Sequence, residues 1–214
     1  MIRKRLFSVA YMFGLMLFFT GLVSGIYELN QERIAINEEI RLQRITLDVL
    51  GIAPEPGATD IQVQEIFQRR IKPEKREGRT LYRGFAEDGE TLIGYAFPLV
   101  GSGFWGTLHG MMGVDTQLER VIGVAFYRHS ETPGLGGRIT EAWFKDQFAG
   151  KRLLPRGKEG KYFYLLPPGT AQADNELDAI TGATGTSRGV ERLVDEDLKD
   201  WLPWIAGQKA KGRI

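Results

Sequence analysis

Apolar positions divide the chain into one unbroken hydrophobic run and a series of segments whose period changes. From Leu6 to Tyr27 no residue is charged, and the small polar side chains are Ser8, Thr20 and Ser24. At about 1.5 Å per residue a helix over this run reaches the roughly 30 Å hydrocarbon layer of a bilayer, so the pattern predicts a membrane-spanning helix. Arg3, Lys4 and Arg5 precede the run and Glu28 follows it, which by the positive-inside rule puts the N-terminus in the cytoplasm and the bulk of the chain outside. A cleaved signal peptide is the rival reading. Its apolar region would be shorter and end in an Ala-x-Ala-like site, whereas this run leads into Ser24-Gly25-Ile26-Tyr27-Glu28, so a retained anchor is expected.

From Leu29 to Leu50 charged residues alternate with Ile34, Ile40, Ile45, Leu47 and Leu50, and no Gly or Pro intervenes before Gly51. This predicts a helix that continues out of the membrane and stops at Gly51, followed by a linker at Pro54-Glu55-Pro56-Gly57. Val63, Ile66 and Phe67 recur at helical spacing between Ile61 and Arg70. The period then shortens: 81–86 and 91–97 flank Glu87-Asp88-Gly89-Glu90, a hairpin signal built on Asp-Gly. Further strands are expected at Thr107–Val114 and Val121–Tyr127, joined through Asp115-Thr116-Gln117, and a compact one at Tyr162–Leu166 before Pro167-Pro168. Ile139–Phe148 reads as helical, with Trp143, Phe144 and Phe148 on its buried side. About twenty residues without a periodic pattern follow the prolines, a length usually functional or disordered inside a compact domain. The last helix aligns Val190, Leu193, Val194, Leu198 and Trp201 on one face, and Pro203 is expected to end it.

Charge changes this picture by exclusion. Among 214 residues, 28 Lys and Arg nearly balance 27 Asp and Glu, without the basic excess that nucleic-acid binding would show, so no nucleic-acid partner is expected. Cysteine is absent. That removes disulfides, thiolate-held Fe–S clusters and thioether-linked haem. His109 and His129 are the two histidines, too few to supply a His-based metal site, and no metal site is expected.

Three stretches carry candidate chemistry. Asp178-Ala179-Ile180-Thr181-Gly182-Ala183-Thr184-Gly185-Thr186-Ser187 places small residues and four hydroxyls ahead of the last helix. Helix-start N–H groups attract anions, and Gly182, Ala183 and Gly185 leave room for close backbone approach. By composition alone it reads first as an ordinary Gly/Thr/Ser loop ending in a helix cap. His129-Ser130-Glu131-Thr132-Pro133-Gly134-Leu135-Gly136-Gly137 follows a strand and can cradle a ligand with backbone N–H groups. It is not a dinucleotide fingerprint, because the third glycine position counted from Gly134 and Gly136 is Ile139. In Gly101-Ser102-Gly103-Phe104-Trp105-Gly106 glycines bracket two aromatics, which would suit stacking on a flat ring and equally suit core packing. A lone His129 beside a turn is more often a hydrogen-bonded structural residue than a proton carrier.

The Asp178–Thr184 motif resembles the Asp-x-x-Ser/Thr-Gly-Ala-Thr pattern of the FMN-binding subunits of two complexes, the G subunit of Rnf and the C subunit of the Na⁺-pumping NADH:quinone oxidoreductase (Nqr). Glu131-Thr132-Pro133-Gly134-Leu135-Gly136 likewise reproduces an element of that family. The resemblance covers the anchor, the juxtamembrane helix and the three motifs in order, and is weakest across 69–80 and 152–173. It implies FMN held covalently, by a phosphoester to Thr184 that a separate flavin transferase makes. A threonine hydroxyl is a weak nucleophile without a base, and no base stands within the motif; Asp178 would serve a turn or transferase recognition. By the same resemblance Thr181, Gly182, Ala183, Thr186, Ser187, Glu131, Thr132, Pro133, Gly134, Leu135, Gly136 and Trp105 would bind the cofactor.

The fold expected is α+β: one N-terminal transmembrane helix, then a single FMN-binding domain with a mainly antiparallel sheet flanked by helices. The expected segments are an anchor over 1–28, a juxtamembrane helix and linker over 29–57, the FMN-binding domain over 58–206 and a flexible tail over 207–214. The implied role is an electron relay within a redox-driven Na⁺ or H⁺ pump of the NADH:quinone or NADH:ferredoxin type, in the cytoplasmic (inner) membrane. Its partners would be membrane subunits, including flavin and Fe–S subunits, together with the flavin transferase. A non-redox extracytoplasmic binding or assembly module on the same anchor is the alternative. A standalone enzyme is disfavoured, since the sequence offers no nucleophile–base pair or metal cluster.

Overall fold

A computed structural model describes residues 2–52, 54–155, 157 and 160–214, with side chains from Leu6 onward. The side chains of Arg3, Lys4 and Arg5, on which the expected orientation rests, lie outside the described residues. The chain separates into two compact units, Met1–Leu42 and Gln43–Ile214.

The first unit is helical. Helix α1 (Ile2–Val49) opens the chain, and its apolar stretch points outward all round: Phe7, Phe13, Leu17 and Phe18 are exposed. By length and composition it can cross a membrane.

The second unit takes in the last turns of α1, which stop as Gly51 adopts φ +69 and Ile52 N–H donates to Leu47 O at 2.9 Å. Helix α2 (Asp60–Arg70) starts from a capping box in which Thr59 and Gln62 bond each other's backbone. Five strands follow as an antiparallel meander in sequence order: β1 (Ile71–Arg76), β2 (Arg79–Phe85), β3 (Leu92–Ser102), β4 (Thr107–Asp115) and β5 (Val121–Arg128). The β2–β3 turn forms as its Asp-Gly signal predicts. Asp88 Oδ1 accepts from the N–H groups of Glu90 and Thr91, and Gly89 sits at φ +70. Strand β1 lacks an alternating pattern because it is a charged edge strand, Ile-Lys-Pro-Glu-Lys-Arg, where Pro73 is tolerated.

Alternation along β3 builds two cores. Tyr95, Phe97 and Leu99 face the last helix, α4 (Thr184–Ala210), with Phe97 stacked on Trp201 at 5.5 Å. Ala96, with Met111 from β4 and Ala125 from β5, faces Leu47, Val49, Leu50 and Val63. On that second face Gly84, Gly94, Gly113 and Gly123 lie on four adjacent strands, and at Gly113 and Gly123 the end of α1 presses its backbone onto the sheet. A Cβ built on Gly113 would stand 2.7 Å from the Val49 carbonyl carbon, and one on Gly123 3.2 Å from Val49 Cα.

Three local expectations need correction. Pro203 lies inside α4, which continues to Ala210; burial of Leu202 and Ile205 outweighs the lost N–H donor. Residues 139–148 form a 3-10 turn (Gly136–Thr140) and the single-turn α3 (Ala142–Asp146). Phe144 and Phe148 are buried there, but Trp143 stays 38% exposed beneath Arg138, its Nε1 donating to Glu141. The aperiodic stretch contains β7 (Glu176–Asp178), paired in parallel with β6 (Tyr164–Leu166).

Candidate functional site

The three motif stretches lie far apart in sequence and meet at one end of the sheet. The β3–β4 turn closes as Gly103 N–H donates to Gly106 O at 2.8 Å, which presents Phe104 and Trp105 outward, 62% and 67% exposed, edge to face at 5.1 Å. After β5 the chain folds tightly around Thr132, whose carbonyl accepts from Leu135 and Gly137, with Gly134 at φ +73. Gly182, at φ +76, then turns the chain into α4. A pocket of about 250 Å³ opens between them, lined by Phe104, Trp105, Glu131, Thr132, Leu135, Gly136, Gly182, Ala183, Thr184, Gly185 and Thr186. Thr181, Ser187, Pro133 and Gly134 are not among the lining residues.

One buried carboxylate joins all three stretches. Glu131 is 4% exposed; its Oε1 accepts from the N–H groups of Phe104 and Trp105 at 2.9 and 3.0 Å, and its Oε2 accepts from the Thr186 hydroxyl. Glycines make that approach possible: a Cβ on Gly103 would meet Glu131 Oε1 at 2.5 Å, and one on Gly136 would meet Oε2 at 2.8 Å. On α4, Gly185 and Gly189 seat the β3–β4 turn. Phe104 lies on Gly185, and Gly189 faces Ser102 O at 2.9 Å from a built Cβ. Arg192 adds a bond from Nη2 to Ser102 O at 3.1 Å. Sequence reasoning named Gly103 as a glycine bracketing the aromatics, but singled out neither Gly189 nor the bracing role of Glu131. The four-residue spacing of Gly185 and Gly189 on a helix is the signal that could have found the seat.

The four hydroxyls of the loop divide by burial. Ser187 is buried; its Oγ donates to Ala183 O and accepts from Ile180 N–H, at 3.0 and 3.1 Å. Thr186 is committed to Glu131. Thr181 and Thr184 are exposed. Ala183 caps α4 without a side-chain bond, so the first-turn N–H groups beside Thr184 keep the donors that an anion would take.

His129 serves the turn: its Nδ1 accepts from Glu131 N–H at 3.2 Å. His109 stands on β4 beside Arg128, and burial, then the Arg128 charge, pushes its pKa down. Asp178 organises a loop, accepting on Oδ1 from the N–H groups of Gly169, Thr170 and Ala171. A larger cavity of about 510 Å³ lies between the Glu55–Ala58 turn and α2; no motif residue lines it.

Residues 103–199 match the family model described as FMN-binding domain. The C subunit of Na(+)-translocating NADH-quinone reductase from Pseudomonas aeruginosa is 34% identical over 160 residues, 72% of this chain and 58% of its own length. The protein of the same name from Yersinia pestis is 36% identical over 106 residues, 49% of this chain and 39% of its own length. The chain thus spans between about two fifths and three fifths of these relatives. Among solved structures, the C subunit of Na(+)-translocating NADH-quinone reductase from Parabacteroides distasonis superposes with TM-score 0.65 at 25% identity, covering 78% of this chain and 92% of that one. Shewanella oneidensis NqrC, at 22% identity and TM-score 0.63 over 72% of this chain and 89% of that one, shares the fold. This α+β chain is therefore similar, through residues 103–199, to the FMN-binding domain family and, over a longer stretch, to the C subunit of Na(+)-translocating NADH-quinone reductase.

Proposed function

We propose that this chain is the membrane-anchored electron-transfer subunit of an Nqr/Rnf-type redox-driven ion pump and carries FMN through a phosphoester on Thr184. The observation that carries the reading is the convergence of the three motifs on one pocket with Thr184 at its edge. The pocket suits a flavin. Phe104, Trp105 and Leu135 offer exposed apolar surface for a ring, and the unpaired N–H donors of the α4 N-terminus would hold the phosphate. Its volume is below the roughly 300–1,000 Å³ of pockets that enclose a ligand, which fits a cofactor left partly open to a redox partner.

Thr184 is the hydroxyl best placed for the ester, since Thr186 and Ser187 are bonded within the chain and Thr181 does not line the pocket. Ester formation joins Thr184 Oγ to the FMN phosphorus, for a net loss of water relative to free threonine and FMN. No pocket residue is placed to activate that hydroxyl, in keeping with a transferase that brings its own base. Bound FMN supplies the electron chemistry; the chain's residues hold and orient it. A tethered cofactor cannot be lost outside the cytoplasm, and the α1 anchor would keep it beside membrane partners. The named relatives favour Nqr membership over Rnf. The domain would lie on the extracytoplasmic side, as the positive-inside rule suggests.

The test is co-expression with a flavin transferase, then a denaturing gel viewed under ultraviolet light. A fluorescent band is expected; a dark band, with the transferase active on a control substrate, would remove the cofactor and leave a non-redox binding module.

A further inference from the structure

We infer that Glu131 is a positioning residue: it holds the Phe104-Trp105 platform against the first turn of α4 and does not itself contact the flavin. Its donors account for both oxygens. Oε1 takes the two platform amides at 2.9 and 3.0 Å, and Oε2 takes the Thr186 hydroxyl from within α4. The side chain is 4% exposed, and no described Lys or Arg forms an ion pair with it, so three dipolar donors hold the carboxylate. The platform needs such a brace. Within the turn its own backbone bond is Gly103 N–H to Gly106 O, and both aromatic rings project into solvent. The brace also links the ring-bearing turn to the helix that starts at Thr184, so one side chain fixes the geometry between platform and attachment point.

The test has two readouts, of which the second alone rests on the FMN reading. In the unloaded full chain, amide exchange at Phe104 and Trp105 is followed by NMR. Glu131→Ala is expected to speed both about tenfold or more, the loss of a bond to a charged acceptor, while Glu131→Gln, which keeps an acceptor oxygen, changes them far less. In the loaded chain, visible circular dichroism of the flavin is expected to fall at least about twofold in Glu131→Ala and to persist in Glu131→Gln. Thr186→Val, which removes the Oε2 donor alone, should give an intermediate rise in exchange, and with Glu131→Gln it carries the test if Glu131→Ala does not fold. Unchanged exchange at both amides in Glu131→Ala, or in Thr186→Val where that variant must stand in, overturns the inference. So does a Glu131→Gln protein that keeps its amides protected yet loses the flavin dichroism, because the charge would then act on the flavin directly. A wild-type chain without flavin counts against the FMN reading, and the exchange rates still decide the role of Glu131.

Discussion

Gly185→Ala should separate stability from cofactor geometry. A Cβ built on Gly185 stands 3.0 Å from Phe104 Cε2 and Cγ and nearer still to Cδ2. Carbon atoms settle at about 3.5–4.0 Å, so the ring must withdraw by at least roughly 0.5–1 Å. It can do so cheaply, because Phe104 is 62% exposed and can swing toward solvent, at an off-rotamer cost of about 0.5–1.5 kcal/mol. Against this, alanine is better than glycine in a helix by about 1 kcal/mol. These two terms nearly cancel. For a domain of this size a residual of about 1 kcal/mol moves Tm by only about 2–4 °C. Calorimetry of the full chain should therefore find Tm within about 4 °C of wild type, while the flavin's visible circular dichroism changes because one wall of its platform has shifted. A Tm loss beyond about 10 °C would show that Phe104 is fixed and the ledger wrong. An unaltered flavin spectrum would remove Phe104 from the ring's environment.

Other sites give separate tests. Gly113→Ala drives a methyl into the Val49 carbonyl inside a buried layer, where no flexible side chain can yield; urea unfolding should show a loss of about 3 kcal/mol, and a loss below about 1 would contradict the close seating of α1 on the sheet. Ser187→Ala strips the Ile180 N–H of its acceptor in a buried loop, so denaturation should register about 1–3 kcal/mol, against about 0.5 or less for exposed Thr181→Ala. Asp197, bonded to Val100 N–H and Arg79, has its pKa pushed up from 3.8 to about 6, first by burial, with Asp200 and Glu196 adding to the rise and Val100 and Arg79 opposing it. The folded state then holds the proton to a higher pH than the unfolded chain, so this group's stabilisation is complete below 3.8 and is lost as pH rises to about 6. Stability of wild type relative to Asp197→Asn should fall across that window, as read from Tm against pH; a flat or rising difference would refute it.

Local chemistry made much of this chain legible. The Asp88-Gly89 turn and the Gly51 stop each depend on residues within four positions, and each forms where its residues indicate, while the Thr59 cap of α2 was local but not read. The apolar face of α4 was equally readable, since Val190, Leu193, Val194, Leu198 and Trp201 repeat with the helix. Non-local effects were not. Three-residue β7 is too short to show a period and is defined by its pairing with β6. Burial beyond Pro203 carries α4 past its expected end. At the site, composition displays four hydroxyls as equivalents; the motif resemblance points to Thr184, and tertiary contact divides them physically, turning Thr186 and Ser187 inward and leaving Thr184 at the pocket. Glu131 likewise reads as one more residue of a glycine turn until its three donors, two of them 27 and 26 residues away and the third 55, are brought to it.

The central claim is that Thr184 bears the cofactor, and peptide mapping tests it most directly. Trypsin should release residues 162–188, which hold Thr181, Thr184, Thr186 and Ser187 together. After co-expression with a flavin transferase, fragmentation of this peptide should place the mass of FMN less water on Thr184, and Thr184→Ala should abolish the adduct. An adduct on Thr181, Thr186 or Ser187, or one that persists in Thr184→Ala, would contradict the account.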